Sequence, residues 1–193
     1  QMCIRDRVTS VHVDDRDDSR IWMGSERSGL TKFDKKGFYT YAVQDGLPSN
    51  SIRDITQSND GTLIIACYKA GVAKFDGKKF TLYDNGLDDK RVILLENGFD
   101  GEIWAGTESA GIGVLEQDQF RMIRDSDGLA HNEMFSLYND GKRMWAGTFG
   151  GGVSCFHDNT WFTLRESDGL NSNTVGSIVS IDENTTLIGG TSG

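Results

Sequence analysis

Three histidines, three cysteines and a few clusters of carboxylates are the groups in this sequence with the reactivity to do chemistry. His12, His131 and His157 stand at unrelated places, and no histidine–carboxylate pair recurs at a spacing that would join a base to an acid. Each is read as a surface histidine. Cys3, Cys67 and Cys155 share no metal-ligand spacing and are too few for a disulfide framework. Cys67 and Cys155 are expected to be small buried strand residues. Asp125-Ser126-Asp127-Gly128 has the opening of a calcium loop but lacks its later ligands and terminal glutamate. Gly147-Thr148-Phe149-Gly150-Gly151-Gly152 is glycine-rich, yet it joins strand to strand, and a phosphate cradle needs a helix N-terminus after the loop. Asp14-Asp15 and Asp17-Asp18 read as a solvated hairpin turn. No catalytic residue, metal ligand or cofactor site is therefore assigned.

Charge narrows the partners. The chain has 193 residues, with 20 basic and 29 acidic side chains and a net charge of −9. That balance opposes a phosphate backbone, so no nucleic-acid partner is expected, and anionic membrane surfaces are disfavoured likewise. The longest strictly aliphatic run is Val92-Ile93-Leu94-Leu95, far short of a membrane span. The 24 glycines against one proline, Pro48, sit among β-branched and aromatic residues, which reads as many tight turns between short strands.

What positions these groups is a repeat. Ile21-Trp22-Met23-Gly24-Ser25 returns as Leu63-Ile64-Ile65-Ala66-Cys67 and as Ile103-Trp104-Ala105-Gly106-Thr107. It returns again as Met144-Trp145-Ala146-Gly147-Thr148 and as Leu187-Ile188-Gly189-Gly190-Thr191. A second marker keeps the same period: Asp45-Gly46-Leu47, Asn85-Gly86-Leu87, Asp127-Gly128-Leu129 and Asp168-Gly169-Leu170. Two markers in phase at a period of about 40 residues define a repeat architecture.

Between the markers lie short apolar runs and turn residues, with no apolar spacing of helical period. In the third unit the runs are 91–95, 103–107, 112–115 and 120–123. Four short strands per unit is the pattern of an all-β fold of four-stranded antiparallel β-propeller blades. One blade falls within 8–42 and three more within 52–83, 92–123 and 134–164, while 175–190 supplies half of a fifth. Residues 8–193 are thus read as an incomplete propeller fragment of about four and a half blades, to be completed by further blades of the same chain. Trp22, Trp104 and Trp145 are expected to anchor blade against blade, with Ile64 and Ile188 filling that place more weakly. Gly46, Gly86, Gly128 and Gly169 are expected to take positive φ at tight turns where a β-carbon would clash, with the next leucine packed inward. Residues 1–7, Gln1-Met2-Cys3-Ile4-Arg5-Asp6-Arg7, resemble the translation of a sequencing-adapter end and are set aside.

The combination of Asp45-Gly46-Leu47-Pro48-Ser49-Asn50 with Asp100-Gly101-Glu102-Ile103-Trp104-Ala105-Gly106-Thr107, Lys32-Phe33-Asp34 and Lys74-Phe75-Asp76 resembles the two-component regulator propeller repeat. The resemblance covers nearly all of 8–193. It implies the periplasmic, extracytoplasmic sensor part of a bacterial hybrid two-component receptor, many of which are tied to glycan use. It also implies an oligosaccharide ligand and a homodimer of the full receptor. The second unit departs from the pattern, with Ile64-Ile65-Ala66-Cys67 in the tryptophan motif and Asn85 in place of the marker aspartate.

The recognition surface is expected on the face formed by the loops between second and third strands. Those loops vary where the strands repeat: Glu26-Arg27, Tyr68-Lys69, Glu108-Ser109 and Phe149-Gly150. Phe149 and Tyr68 are candidates to stack on sugar rings. Arg27, Lys69, Glu26 and Glu108 are candidates to bond hydroxyl or carboxylate groups, and His131 is placed on the same face. Ordinary solvated loop residues would look similar. A protein-binding scaffold propeller and a propeller-fold lyase or hydrolase remain as alternative functions.

Overall fold

Each repeat is a strand-rich string punctuated by glycine, and each folds as one small sheet. The structure, a computed structural model, describes residues 6–191; of the seven residues set aside above, the first five, with Cys3, lie outside them. The first sheet comprises β1 (Val8–Val13), β2 (Ile21–Ser25), β3 (Leu30–Asp34) and β4 (Gly37–Tyr41). The second comprises β5 (Ile52–Gln57), β6 (Leu63–Cys67), β7 (Gly71–Phe75) and β8 (Phe80–Tyr83). The third comprises β9 (Val92–Asn97), β10 (Ile103–Thr107), β11 (Ile112–Glu116) and β12 (Gln119–Ile123). The fourth comprises β13 (Met134–Asn139), β14 (Met144–Thr148), β15 (Val153–His157) and β16 (Thr160–Leu164). A two-stranded sheet, β17 (Val175–Ser180) and β18 (Thr186–Gly190), follows. Every pairing is antiparallel between strands adjacent in sequence. The sheets are propeller blades: the first strands β1, β5, β9, β13 and β17 contact one another in succession.

Packing between blades follows from the two-residue period of a strand. In β10, Ile103 and Ala105 pack toward the second blade and Trp104 toward the fourth. In β14, Met144 and Ala146 pack toward the third blade and Trp145 toward the fifth. Central strands are thus apolar on both faces, and β6, β10 and β14 are buried along their whole length. Trp22, Trp104 and Trp145 are 5%, 3% and 4% exposed. Ile64 takes the equivalent place in the second blade.

A buried indole needs an acceptor for its N–H. Trp22 Nε1 donates to Asp14 (3.2 Å), Trp104 Nε1 to Glu102 (3.0 Å) and Trp145 Nε1 to Asp140 (3.1 Å). Each carboxylate sits in the hairpin between first and second strands. Here the reading of Asp14 as a solvated turn residue is corrected. Asp14 is 2% exposed and also accepts from Arg16 N, Arg20 and Gln57, because the indole and arginine donors hold it inside. Asp15 and Asp18 are exposed.

The second marker builds the connection between blades. Three of these markers close a 3-10 turn: Val43–Asp45, Asp125–Asp127 and Glu166–Asp168. The marker aspartate accepts from the backbone N–H before the turn, at Ala42, Arg124 and Arg165. Asn50, Asn132 and Asn173 accept from its first residue. The second unit, with Asn85 and Lys90 at these places, has no such turn. Gly46, Gly86, Gly128 and Gly169 have φ of +92°, +84°, +114° and +107°. A β-carbon at Gly46 or Gly169 would meet open space, so there the left-handed backbone alone sets the requirement; at Gly86 it would run into the Phe120 carbonyl oxygen. The tightest repeated approach is elsewhere. At Gly29, Gly111 and Gly152 a β-carbon would collide with the carbonyl oxygens of Tyr41, Ile123 and Leu164. Leu47, Leu87 and Leu129 are buried, and Leu170, beside the two-stranded sheet, is partly buried.

Two outcomes follow from this packing. Gly152→Ala should cost more than twice as much stability as Gly169→Ala, for which about 1 kcal/mol is expected from left-handed strain alone; paired denaturant melts measure the difference. Burial would raise the Asp140 carboxyl, but hydrogen bonds from the Trp145 indole, the Lys142 and Arg143 amides and the Arg143 side chain outweigh it and hold the pKa at about 2. Its stabilisation, about 2 kcal/mol, is complete above the unfolded value of 3.8 and is lost as the pH falls through about 2. Asp140→Asn should flatten that part of the acid-unfolding profile.

Candidate functional site

Glu26, Tyr68, Glu108 and Phe149 each immediately follow the second strand of their blade. The N–H of each donates to the residue just before the first strand: Arg7, Ser51, Arg91 and Glu133, at 2.9–3.0 Å. This shared bond places the four side chains at one level of one face, beside the innermost strands. Arg27, Lys69, Ser109 and Gly150 come next and are exposed. Lys69 has φ of +64°, a place where its repeat equivalent Gly150 has +81°.

A further set of residues joins them. The pairing of first and second strands shifts register once in every blade: between Val8 and Ser10, Ile52 and Asp54, Val92 and Leu94, Met134 and Ser136, and Val175 and Ser177. The extra residue of each β-bulge is Thr9, Arg53, Ile93, Phe135 or Gly176. A bulge bends its strand and re-aims the side chain. In the second blade the Arg53 guanidinium lies 4.4 Å from the centroid of the Tyr68 ring, and Lys69 Nζ lies 5.5 Å from it. In the fourth blade the Phe135 and Phe149 rings lie 5.9 Å apart at 43°, with both residues about half exposed.

Tyr68 carries the cluster across to the third blade. Its hydroxyl donates to Glu108 Oε2 (3.0 Å), which also pairs with Arg91 Nη1 (2.9 Å). Burial and that hydrogen bond raise the Tyr68 pKa. Arg91 forks onto Asp89 at 2.8 and 2.9 Å, and Ser109 bonds both residues. Burial would raise Asp89, but the Arg91 and Ser109 donors outweigh it and lower its pKa. Glu26 and Arg27 stand apart on the first blade, and their side chains make no hydrogen bond or ion pair among the described residues.

His131 lies on the connection into the fourth blade, exposed, with Nδ1 accepting from Glu133 N at 3.1 Å. Ser49, Asp89 and Ser172 accept the same bond at the equivalent place. The histidine thus occupies a turn-acceptor position. Ser109 was named only as part of a varying loop, and Arg53, Arg91, Asp89 and Phe135 were not singled out from the sequence. Arg53 and Phe135 could have been, since the bulge positions keep the repeat phase and vary in type, as the loops do.

Below this face the first strands are bridged by side chains. Thr9 Oγ1 donates to Ile52 O (2.6 Å), Asn97 Nδ2 to Gln57 O (3.0 Å), Asn139 Nδ2 to Asn97 O (2.8 Å) and Ser136 Oγ to Val175 O (3.1 Å). Asp54 accepts from Leu95 N at 2.8 Å, and its pKa is raised by burial despite that bond. Burial, with the neighbouring Asp54 charge, pushes Glu96 up to about 7. Among the described residues no group of three or more His, Cys, Asp and Glu is arranged to hold a metal. Cys67 and Cys155 are fully buried and their thiols are pushed up to about 12 by burial. A cleft of about 730 Å³ opens away from this face, between the third and fourth blades, lined by Phe99, Trp104, Phe156 and Trp161 among others.

No family model and no curated protein matches the chain. Solved structures do. A structure named as the extracellular domain of a hybrid two component system of B. thetaiotaomicron superimposes with a TM-score of 0.78 at 20% identity, over 96% of this chain and 27% of that one. Another such domain from the same organism gives 0.79 at 16%, over 95% and 28%. Virginiamycin B lyase from Staphylococcus aureus gives 0.67 at 14%, over 94% and 62%. At these identities the likeness shows the propeller fold. This chain spans little more than a quarter of either extracellular domain.

The Glu96 environment yields a measurable pH effect. The unfolded chain releases this proton near 4.5 and the folded protein holds it to about 7, so folding stability falls as the pH rises between those values. Glu96→Gln should therefore stabilise the protein above pH 7, by up to about 3 kcal/mol relative to its effect at low pH. Chemical melts on either side of that range check it.

Proposed function

We propose that this chain is a ligand-sensing part of an extracytoplasmic β-propeller of a bacterial two-component receptor, responding to a glycan-derived ligand. The observation that carries the reading is the face itself. One blade architecture recurs, yet one repeated position carries a carboxylate at Glu26 and Glu108, a phenol at Tyr68 and a phenyl ring at Phe149. A repeated scaffold with varied side chains at one level is how a surface is specified without altering the fold. Two features suit a saccharide. The exposed Phe135 and Phe149 rings, inclined at 43°, offer an apolar surface for a sugar ring, and the Tyr68–Glu108–Arg91 network offers fixed donors and acceptors for hydroxyls. The likeness to extracellular domains of hybrid two component systems supports the assignment. In this reading a signal leaves this part through propeller packing or dimerisation of the full receptor; no helix among the described residues is long and apolar enough to cross a membrane.

Glycan-array binding of the protein, followed by calorimetry on the best hit, tests this. Saturable binding of an oligosaccharide is expected, weakened about tenfold by Phe149→Ala with the melting temperature unchanged. Saturable binding of proteins with no saccharide binding would favour a scaffold. Turnover of a bound saccharide would favour the propeller lyase or hydrolase.

A further inference from the structure

Five cationic side chains belong to the loop face of the first three blades: Arg7, Arg27, Arg53, Lys69 and Arg91. Their charges are not equally available. Arg91 is consumed by its fork onto Asp89 and its pair with Glu108. Arg53 has no carboxylate partner among the described residues, and its Nε is buried without a hydrogen-bond partner. Leaving a buried donor unmade costs the desolvation of that group, so such a donor marks either strain or an acceptor that arrives from outside. Lys69 is likewise unpaired by any carboxylate among the described residues, is exposed, and is held in a left-handed conformation. Both cations approach one ring, Tyr68, which is fixed by its bond to Glu108. Arg91 is shared between two carboxylates, Asp89 and Glu108, so three cations (Arg53, Lys69, Arg91) face two anions. The result is a local excess of positive charge on a chain whose net charge is −9.

We propose that the bulge residue Arg53, with Lys69 and Tyr68, forms a subsite for an anionic group, the carboxylate or sulfate of an acidic saccharide. This rests on the glycan-sensing reading and specifies it. The bulge is the structural reason. It re-aims Arg53 from the strand pairing toward the loop, and the same device brings Phe135 to the loop residue Phe149 in the fourth blade. An anionic subsite on the second blade and an aromatic surface on the fourth would read two different parts of one acidic oligosaccharide. The Nη groups of Arg53, which no carboxylate among the described residues takes, suit an oxyanion, and the nearby ammonium adds charge without geometry.

The test uses the full chain and three probes: a uronate-containing disaccharide, its carboxyl-reduced counterpart, and inorganic sulfate. Binding is read by calorimetry and by the Arg53 Nε–Hε resonance, assigned through its loss in Arg53→Lys. The uronate disaccharide is expected to bind about tenfold more tightly than the reduced one and to shift that resonance. Lys69→Gln, at an exposed site that leaves the core untouched, should erase most of the discrimination between the two disaccharides. Equal affinity for both disaccharides, with no effect of Lys69→Gln, overturns the anionic subsite and leaves the glycan reading standing. Sulfate shifting the Arg53 resonance while neither disaccharide binds supports the subsite and overturns the glycan reading. Silence of all three probes at the Arg53 resonance overturns the subsite.

Discussion

A four-stranded sheet of this size cannot hide both of its faces, and everything else in the molecule depends on how that is solved. The central strands are apolar on both sides, as Leu63-Ile64-Ile65-Ala66-Cys67 shows, so each blade needs a neighbour on each side. Trp104 fills the space toward the fourth blade while Ile103 and Ala105, one residue away on either side, fill the space toward the second. Stability is therefore shared between neighbours, as in other repeat proteins. The indole brings one polar atom into that interface, and the hairpin carboxylates Asp14, Glu102 and Asp140 satisfy it. The second blade, with Ile64, needs no such acceptor, which removes the demand for a buried acid there.

At the axis the constraint is different. The first strands of adjacent blades diverge and do not pair in a common sheet, so their outward groups are bridged by side chains such as Thr9, Asn97 and Asn139. This polar seam joins blades at the level below the loop face. It also confines carboxylates, and Glu96 holds its proton to about 7 as a consequence.

The loop face inherits its geometry from both constraints. The bond from the residue after the second strand to the residue before the first sets the height of the varied side chains, and the bulge sets the direction of a further residue per blade. Neither feature depends on the side chain displayed. Tyr68, Glu108 and Phe149 can therefore differ while the backbone beneath them stays the same, and this independence lets one fold carry a specific surface.

The sequence by itself determined the period, the number of strands per unit, the buried place of the tryptophan motif and the loops that vary. These are local: they come from strand alternation, glycine and the spacing of apolar residues. Part of the candidate site was legible for the same reason, since Tyr68 and Phe149 fall in loops whose repeat phase can be counted. Only the tertiary structure decided which of those residues meet. Asp14 has the sequence context of a solvated turn, yet Trp22 and Arg20 draw it inside. Arg53 has the context of a strand residue, yet the bulge delivers it to Tyr68. Arg91 and Lys69 are both basic loop residues, and only their partners distinguish a spent charge from an available one. Contacts between blades are set by groups some 40 residues apart, and no local pattern encodes them.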